Sequence, residues 1–311
     1  MSRLITRVID RALGGMAAKV APIISSQLRS QLIAELTEFN HRARAEESSQ
    51  MNDAPHRQAQ QMNELLGVGG TNPSDVLRHK DVIMRNAFDG ILMATRPDIV
   101  CDVGSFDGAD SARFSRIAPW SRLYAFEANN DNIVRFIKSR SDLERVTIEN
   151  IAVCEVDGEI TFHILVGEGD NEEPPIWQQA AGSLHVRVND IPSRPVTVPS
   201  VRLDTYFKRE IENKSTFILW IDVEGALDRV LAGAKKVLEQ TILLRAEVEH
   251  REFWAGQMMA DEVISLAEKA GFLLLCDSWT PRENGQSDVL MINREWLHLA
   301  ANSTNNFKNH T

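Results

Sequence analysis

Hydrophobic positions along the chain change their period between its first third and the rest. Near the start, Leu4, Val8, Ala12, Met16 and Val20 recur at helical spacing, and Ile5, Ile9 and Leu13 widen the stripe. Ile24, Leu28, Leu32 and Leu36 repeat it beyond Pro22. The pattern predicts an amphipathic helix, weakened at Gly14 and Gly15 and kinked at Pro22. Polar residues dominate 40–61, and the turn-rich stretch 67–73 marks a boundary. A second helical pattern over 75–96 puts Val82, Ile83, Ala87, Ile91 and Leu92 on one face.

From residue 97 onward, short apolar runs alternate with helical patterns. Strands are predicted over 99–103, 123–126, 146–151, 217–223, 243–248, 272–275 and 289–292. Helices are predicted over 109–117, 131–140, 227–238 and 261–270, and extra strands over 159–166 and 196–203. Strands alternating with helices imply βαβ units and a mostly parallel sheet, an α/β fold. The expected organisation is a helical extension and linker over 1–70, a helical lead-in over 71–96, an α/β domain over 97–295 and a polar tail over 296–311.

Charge and cysteine usage narrow the function. A net charge of -10 argues against a nucleic-acid groove. The first 34 residues run the other way, with Arg3, Arg7, Arg11, Lys19 and Arg29 against Asp10 alone. Cys101, Cys154 and Cys276 sit in strand-like runs without C-x-x-C pairing, which fits a reducing, cytoplasmic setting and argues against structural zinc. No apolar run approaches about 18 residues, and Asp10, Arg11 and Lys19 break the N-terminal stretch as a signal peptide.

Candidate chemistry is densest at Asp102-Val103-Gly104-Ser105-Phe106-Asp107-Gly108, between a predicted strand and a predicted helix. Ligands of open α/β sheets bind at the carboxyl ends of strands, so this loop is well placed. Gly104 and Gly108 permit a tight turn and close backbone approach. Their spacing is not that of the dinucleotide fingerprint. Asp102 and Asp107 would repel a diphosphate and suit a sulfonium cation bearing an amino group. The next strand ends in Tyr124-Ala125-Phe126-Glu127, about 20 residues on, where a carboxylate can accept both hydroxyls of a ribose. After the third strand, Asn150, Ile151 and Ala152 are placed to pack on a base and read its edge.

These motifs resemble the FkbM family of methyltransferases, over about residues 97–278. The family's D-V-G-A-N-x-G-x-x-S loop corresponds to Asp102 through Ser111, and its F-E-P to Phe126-Glu127-Ala128. Its N-x-A and acid–Gly turn correspond to Asn150-Ile151-Ala152 and Asp157-Gly158, and its S-L to Ser183-Leu184. Its V-x-x-L-D resembles Ser200-Val201-Arg202-Leu203-Asp204, and its K-I-D-V-E-G-A appears as Trp220-Ile221-Asp222-Val223-Glu224-Gly225-Ala226. The chain departs from the pattern at Phe106 for Asn, Ala128 for Pro, Trp220 for Lys and Leu227 for Glu.

The resemblance implies a Rossmann-like class I methyltransferase sheet, mostly parallel with an antiparallel last strand. It also implies S-adenosylmethionine as cofactor and O-methyl transfer to a hydroxyl of a carbohydrate, glycoconjugate or related natural product. The expected cofactor residues are Asp102, Gly104, Ser105, Phe106, Asp107, Gly108, Ser111, Glu127, Ala128, Asn150, Ile151, Ala152 and Asp222. Chemistry is expected at the ends of the central strands: Asp222 beside the sulfonium, with His250 and Glu224 as further candidates for proton transfer. Asp222, Glu224 and Glu249 offer oxygen ligands for a divalent cation, though none is required. The loop over 167–183 holds Trp177, suited to stacking on a sugar face. For the N-terminal stripe, homo-oligomerisation through residues 3–48 is the favoured reading, with peripheral membrane contact and packing on the chain's own domain as alternatives. The alternative to an enzyme is a noncatalytic scaffold that oligomerises through this helix.

Overall fold

A computed structural model describes residues 73–167, 174–188, 191–278 and 285–296. The N-terminal stripe, the middle of the 167–183 loop and the end of the tail lie outside these residues.

Helix α1 (Pro73–Thr95) leads into β1 (Ile99–Val103), α2 (Ala109–Ile117), β2 (Arg122–Phe126) and β3 (Val146–Glu149). Then come β4 (Ala152–Val153), β5 (Gly158–Leu165), β6 (Ser193–Val201) and β7 (Phe217–Ile221). Helix α3 (Leu227–Gly233), β8 (Thr241–Glu249), α4 (Ala260–Lys269), β9 (Phe272–Asp277) and β10 (Gln286–Asn293) complete the order. Seven strands form one sheet in the order β3-β2-β1-β7-β8-β10-β9. The β1, β2, β3, β7 and β8 pairings are parallel, and β10 runs antiparallel to both its neighbours. The predicted antiparallel strand therefore sits between β8 and β9. A second sheet, in the order β4-β6-β5, accounts for the extra strands.

Every residue of β1 and β7 is buried, as expected for strands covered on both faces. One face packs Val103, Phe126, Leu203, Phe217, Leu244 and Phe272 beneath α3 and α4. The other packs Val100, Phe114, Ile218 and Leu243 beneath α1, whose Phe88 and Leu92 are fully buried. From β1 the chain builds outward to β2 and β3, then returns to lay β7 on β1's other side. The strand order reverses there, opening a crevice at the carboxyl ends of β1 and β7.

Three predicted elements differ. The 146–151 strand divides, because Asn150 turns its amide onto the carbonyls of Glu127 (2.8 Å) and Ala128 (3.2 Å), and β4 joins the second sheet. The 131–140 helix is a short turn, Asn130–Asn132, running into a π-helix, Ile133–Ile137. The 227–238 helix breaks at Ala234. A Cβ on Gly233 would lie 2.0 Å from the Cys154 carbonyl oxygen, so the helix rests directly on β4. The following segment, Lys235–Glu239, is capped by Asp204, which accepts from the Lys236 and Val237 amides (2.9 and 3.0 Å). Among the described residues, no helix is long and apolar enough to cross a membrane.

Candidate active site

The turn after β1 is shaped by its neighbours in the protein. The Gly104 and Ser105 amides both donate to the Phe126 carbonyl (2.9 and 3.1 Å), bending the chain across the end of β2. Gly104 takes φ +83°, and a Cβ there would sit 1.7 Å from the Asp222 carbonyl oxygen. Glycine is required at this point by the approach of β7. Phe106 is left-handed at φ 45°, with its ring on Phe136 at 5.1 Å, and its amide donates to Glu127 Oε2 at 2.8 Å.

Asp102 is buried and faces Ser111, whose hydroxyl donates to it at 2.5 Å, tying β1 to α2. Burial pushes its carboxyl up to about 7. Asp107 accepts from the Ala109 amide at the start of α2 (2.9 Å). Both acids of the loop thus bond within the protein, and neither lines the cleft. Gly108, Ser105, Phe106, Ser111 and Asn150 are likewise not part of its lining.

The cleft is lined by six of the expected residues: Gly104, Glu127, Ala128, Ile151, Ala152 and Asp222. Of the rest of the wall, sequence reasoning did not single out Asn129, Asn132, Val153 and Phe162, whereas Val103, Phe126, Leu184, Val223 and Ala226 lie within its motifs and Ala180 and Gly182 within the 167–183 loop. Glu127 is 6% exposed. Its Oε1 accepts from the Asn129 amide (2.7 Å) and, at 3.5 Å, from the Asn132 side chain. Burial raises it to about 7, against these hydrogen bonds. With only the Phe106 amide on Oε2, the carboxylate keeps accepting capacity toward the cleft. Ile151, Phe162 and Leu184 give the cleft an apolar wall suited to a flat ring.

Asp222 closes the far end. Its amide continues the ladder to the Val103 carbonyl (2.8 Å). Its side chain, 35% exposed, accepts from Arg245 Nη1 at 3.2 Å. Burial raises this carboxyl and Arg245 opposes the rise. Trp220 does not line the cleft. It is buried on the α1 face, edge-on to Phe88 at 4.9 Å.

Beyond Asp222 the turn is left-handed at Glu224 (φ 50°) and Gly225 (φ 75°). Glu249 accepts the Gly225 amide at 2.7 Å, and the buried Ser183 hydroxyl donates to the Glu224 carbonyl at 2.6 Å. Ser183 of the Ser–Leu pair thereby ties its own stretch to the turn after β7. The carboxylates that converge are Asp222, Glu224 and Glu247, with oxygens within 4.8 Å of one another. Glu247, not the expected Glu249, completes this group. Gln286 Nε2 donates to Glu247 (2.8 Å) and Glu224 (3.4 Å), and Arg245 to Asp222, so protein donors answer the cluster's charge. Burial, then Asp222's charge, lifts Glu224 to about 7, and burial lifts Glu249 to about 8. Glu247 rises for the same reasons. His250 bonds Ser287 Oγ at 2.7 Å and stands outside the cleft wall, its pKa lowered by burial.

A model of the methyltransferase FkbM domain matches residues 102–274. The 2-O-methyltransferase NoeI of Sinorhizobium fredii is 28% identical over 184 residues, spanning 57% of this chain and 74% of the relative. Among solved structures, an FkbM methyltransferase from Methylobacillus flagellatus aligns with 13% identity and a TM-score of 0.37, over 63% of this chain and 44% of that one. The magnesium protoporphyrin IX methyltransferase of Synechocystis PCC 6803, solved with bound SAM, aligns with 9% identity and a TM-score of 0.38, over 87% and 99%.

Proposed function

Because the chain belongs to the FkbM methyltransferase family, we propose that it is an O-methyltransferase acting on a hydroxyl of a carbohydrate, glycoconjugate or related natural product. The observation that carries this reading is one cleft joining a buried carboxylate, Glu127, to a second, Asp222, across an apolar wall. Those parts fit a ribose, a sulfonium and an adenine. When bound, S-adenosylmethionine supplies a methyl carbon made electrophilic by its positive sulfur.

Glu127 accepts the ribose hydroxyls, and Ile151, Phe162 and Leu184 enclose the base. Asp222, held by Arg245, offers a fixed negative charge to the sulfonium. With the donor so held, an acceptor hydroxyl oriented toward its methyl group would have to give up its proton to the protein. Glu224, outside the cleft wall but beside Asp222, with its carboxyl pushed up to about 7, would take that proton. Trp177, 48% exposed on the segment that covers the cleft, gives a sugar ring a face to stack on. The similarity to a 2-O-methyltransferase supports oxygen as the acceptor atom.

Titration calorimetry with S-adenosylmethionine tests the reading. The wild type is expected to bind at one site, and Glu127→Ala to weaken binding by about tenfold to a hundredfold. The ionised carboxylate is the better acceptor, and its pKa is raised to about 7. Affinity should therefore weaken as the pH falls through about 7, and Glu127→Gln should flatten that dependence. A wild-type protein that binds no donor ends the proposal. Binding without transfer to any of a broad panel of glycans would return the noncatalytic scaffold.

A further inference from the structure

Arg245 lies inside β8, in a strand otherwise buried and apolar at its centre, and is itself 6% exposed. A buried cation is tolerated only where its partners are fixed. The strand register sets Trp220 of β7 directly opposite it, and the guanidinium stacks on that indole at 4.2 Å. Trp220 is in turn wedged against Phe88 and Phe114. One end of the fork, Nη2, is held by Asp288. The other, Nη1, reaches the Ile221 carbonyl (3.4 Å) and Asp222 Oδ2 (3.2 Å). Arg245 does not line the cleft. Whatever it does for the ligand passes through Asp222.

Acids interact with Asp222 from several surrounding elements. They are Asp102 on β1, Asp110 on α2, Glu224 on the turn, Glu247 and Glu249 on β8, and Asp288 on β10. The ionised fraction of those acids repels the Asp222 carboxylate, and Arg245 bonds it in place.

We propose that Arg245 is a positioning residue: stacked on Trp220 and anchored by Asp288, it holds the Asp222 carboxylate toward the sulfonium of the methyl donor. The inference rests on the role given to Asp222 above, and its test separates the two.

The measurement is the ratio of affinities for S-adenosylmethionine, a cation at sulfur, and S-adenosylhomocysteine, a neutral thioether, by titration calorimetry. Asp222→Asn is expected to lower the ratio by about tenfold, the scale of a charge-assisted contact. Arg245→Met should lower it to a similar extent with stoichiometry unchanged. Arg245→Lys should recover little, because a point charge cannot fork between Asp222 and Asp288 while stacking on Trp220. A purely structural role would reduce the binding-competent fraction and leave the ratio at its wild-type value. Arg245→Met with Asp288→Asn, which leaves no orphaned Asp288, serves if the single variant does not fold. If Asp222→Asn keeps the ratio, the role of Asp222 falls. If Asp222→Asn lowers it while Arg245→Met, alone or with Asp288→Asn, keeps or raises it, the role of Arg245 is overturned and that of Asp222 stands.

Discussion

Gly104→Ala is expected to cost more than about 4 kcal/mol of stability and to abolish donor binding. The added Cβ would lie 1.7 Å from the Asp222 carbonyl oxygen and 2.7 Å from its carbonyl carbon. Neither side can retreat. The Asp222 amide is bonded to the Val103 carbonyl and the Gly104 amide to the Phe126 carbonyl, so relief means opening the sheet at the crevice. Alanine is also strained at φ +83°. Gly256→Ala is the matched control, because it has φ +77° with nothing within 4 Å of the added Cβ. It carries the backbone strain alone, about 1 kcal/mol. Thermal unfolding should therefore separate the two by about 6 °C or more. Equal melting temperatures would show that β7 does not press on the glycine turn as described.

The same glycine illustrates what a sequence discloses and what it withholds. Local pattern placed β1 and α2 at their observed bounds, because both are short, strongly patterned and flanked by turn residues. It also gave the glycine turn and Glu127, which lie on consecutive strands. The reason Gly104 must be glycine was out of reach, since Asp222 approaches it from a strand far along the chain. Arg245 was missed for the same kind of reason. A cation in an apolar strand announces that it needs a partner, but the register that sets it on Trp220 exists only once β7 and β8 pair. Glu249 was preferred to Glu247 because the strand was expected to end at 248. Pairing with β10 carries it to Glu249, whose carboxylate then meets the Gly225 amide and leaves Glu247 to face Asp222. Trp220, which stands where the family has Lys, faces α1 and the guanidinium.

Asp222→Ala is expected to reduce methyl transfer by a factor on the order of a hundred to ten thousand while sparing the fold. Breaking a buried ion pair commonly costs about 3–5 kcal/mol, because a charge is left alone. Here the orphaned guanidinium keeps Asp288, the Ile221 carbonyl and the Trp220 face, and the lost side chain was 35% exposed. Removing one acid also relieves Glu224 and Glu247, both of which Asp222 pushes upward. The net change in stability should stay within about 2 kcal/mol, a shift of a few degrees in melting temperature. Residual activity carries its own signature. Burial, the larger cause of its rise, stays, but without the neighbouring charge the Glu224 carboxyl falls below about 7, so the acid limb of the rate profile moves to lower pH. Transfer of labelled methyl to the acceptor that the wild type modifies, followed across pH, measures both effects. Wild-type rates in Asp222→Ala would remove the residue from the chemistry. A large loss with an unmoved acid limb would keep Asp222 and take the proton away from Glu224.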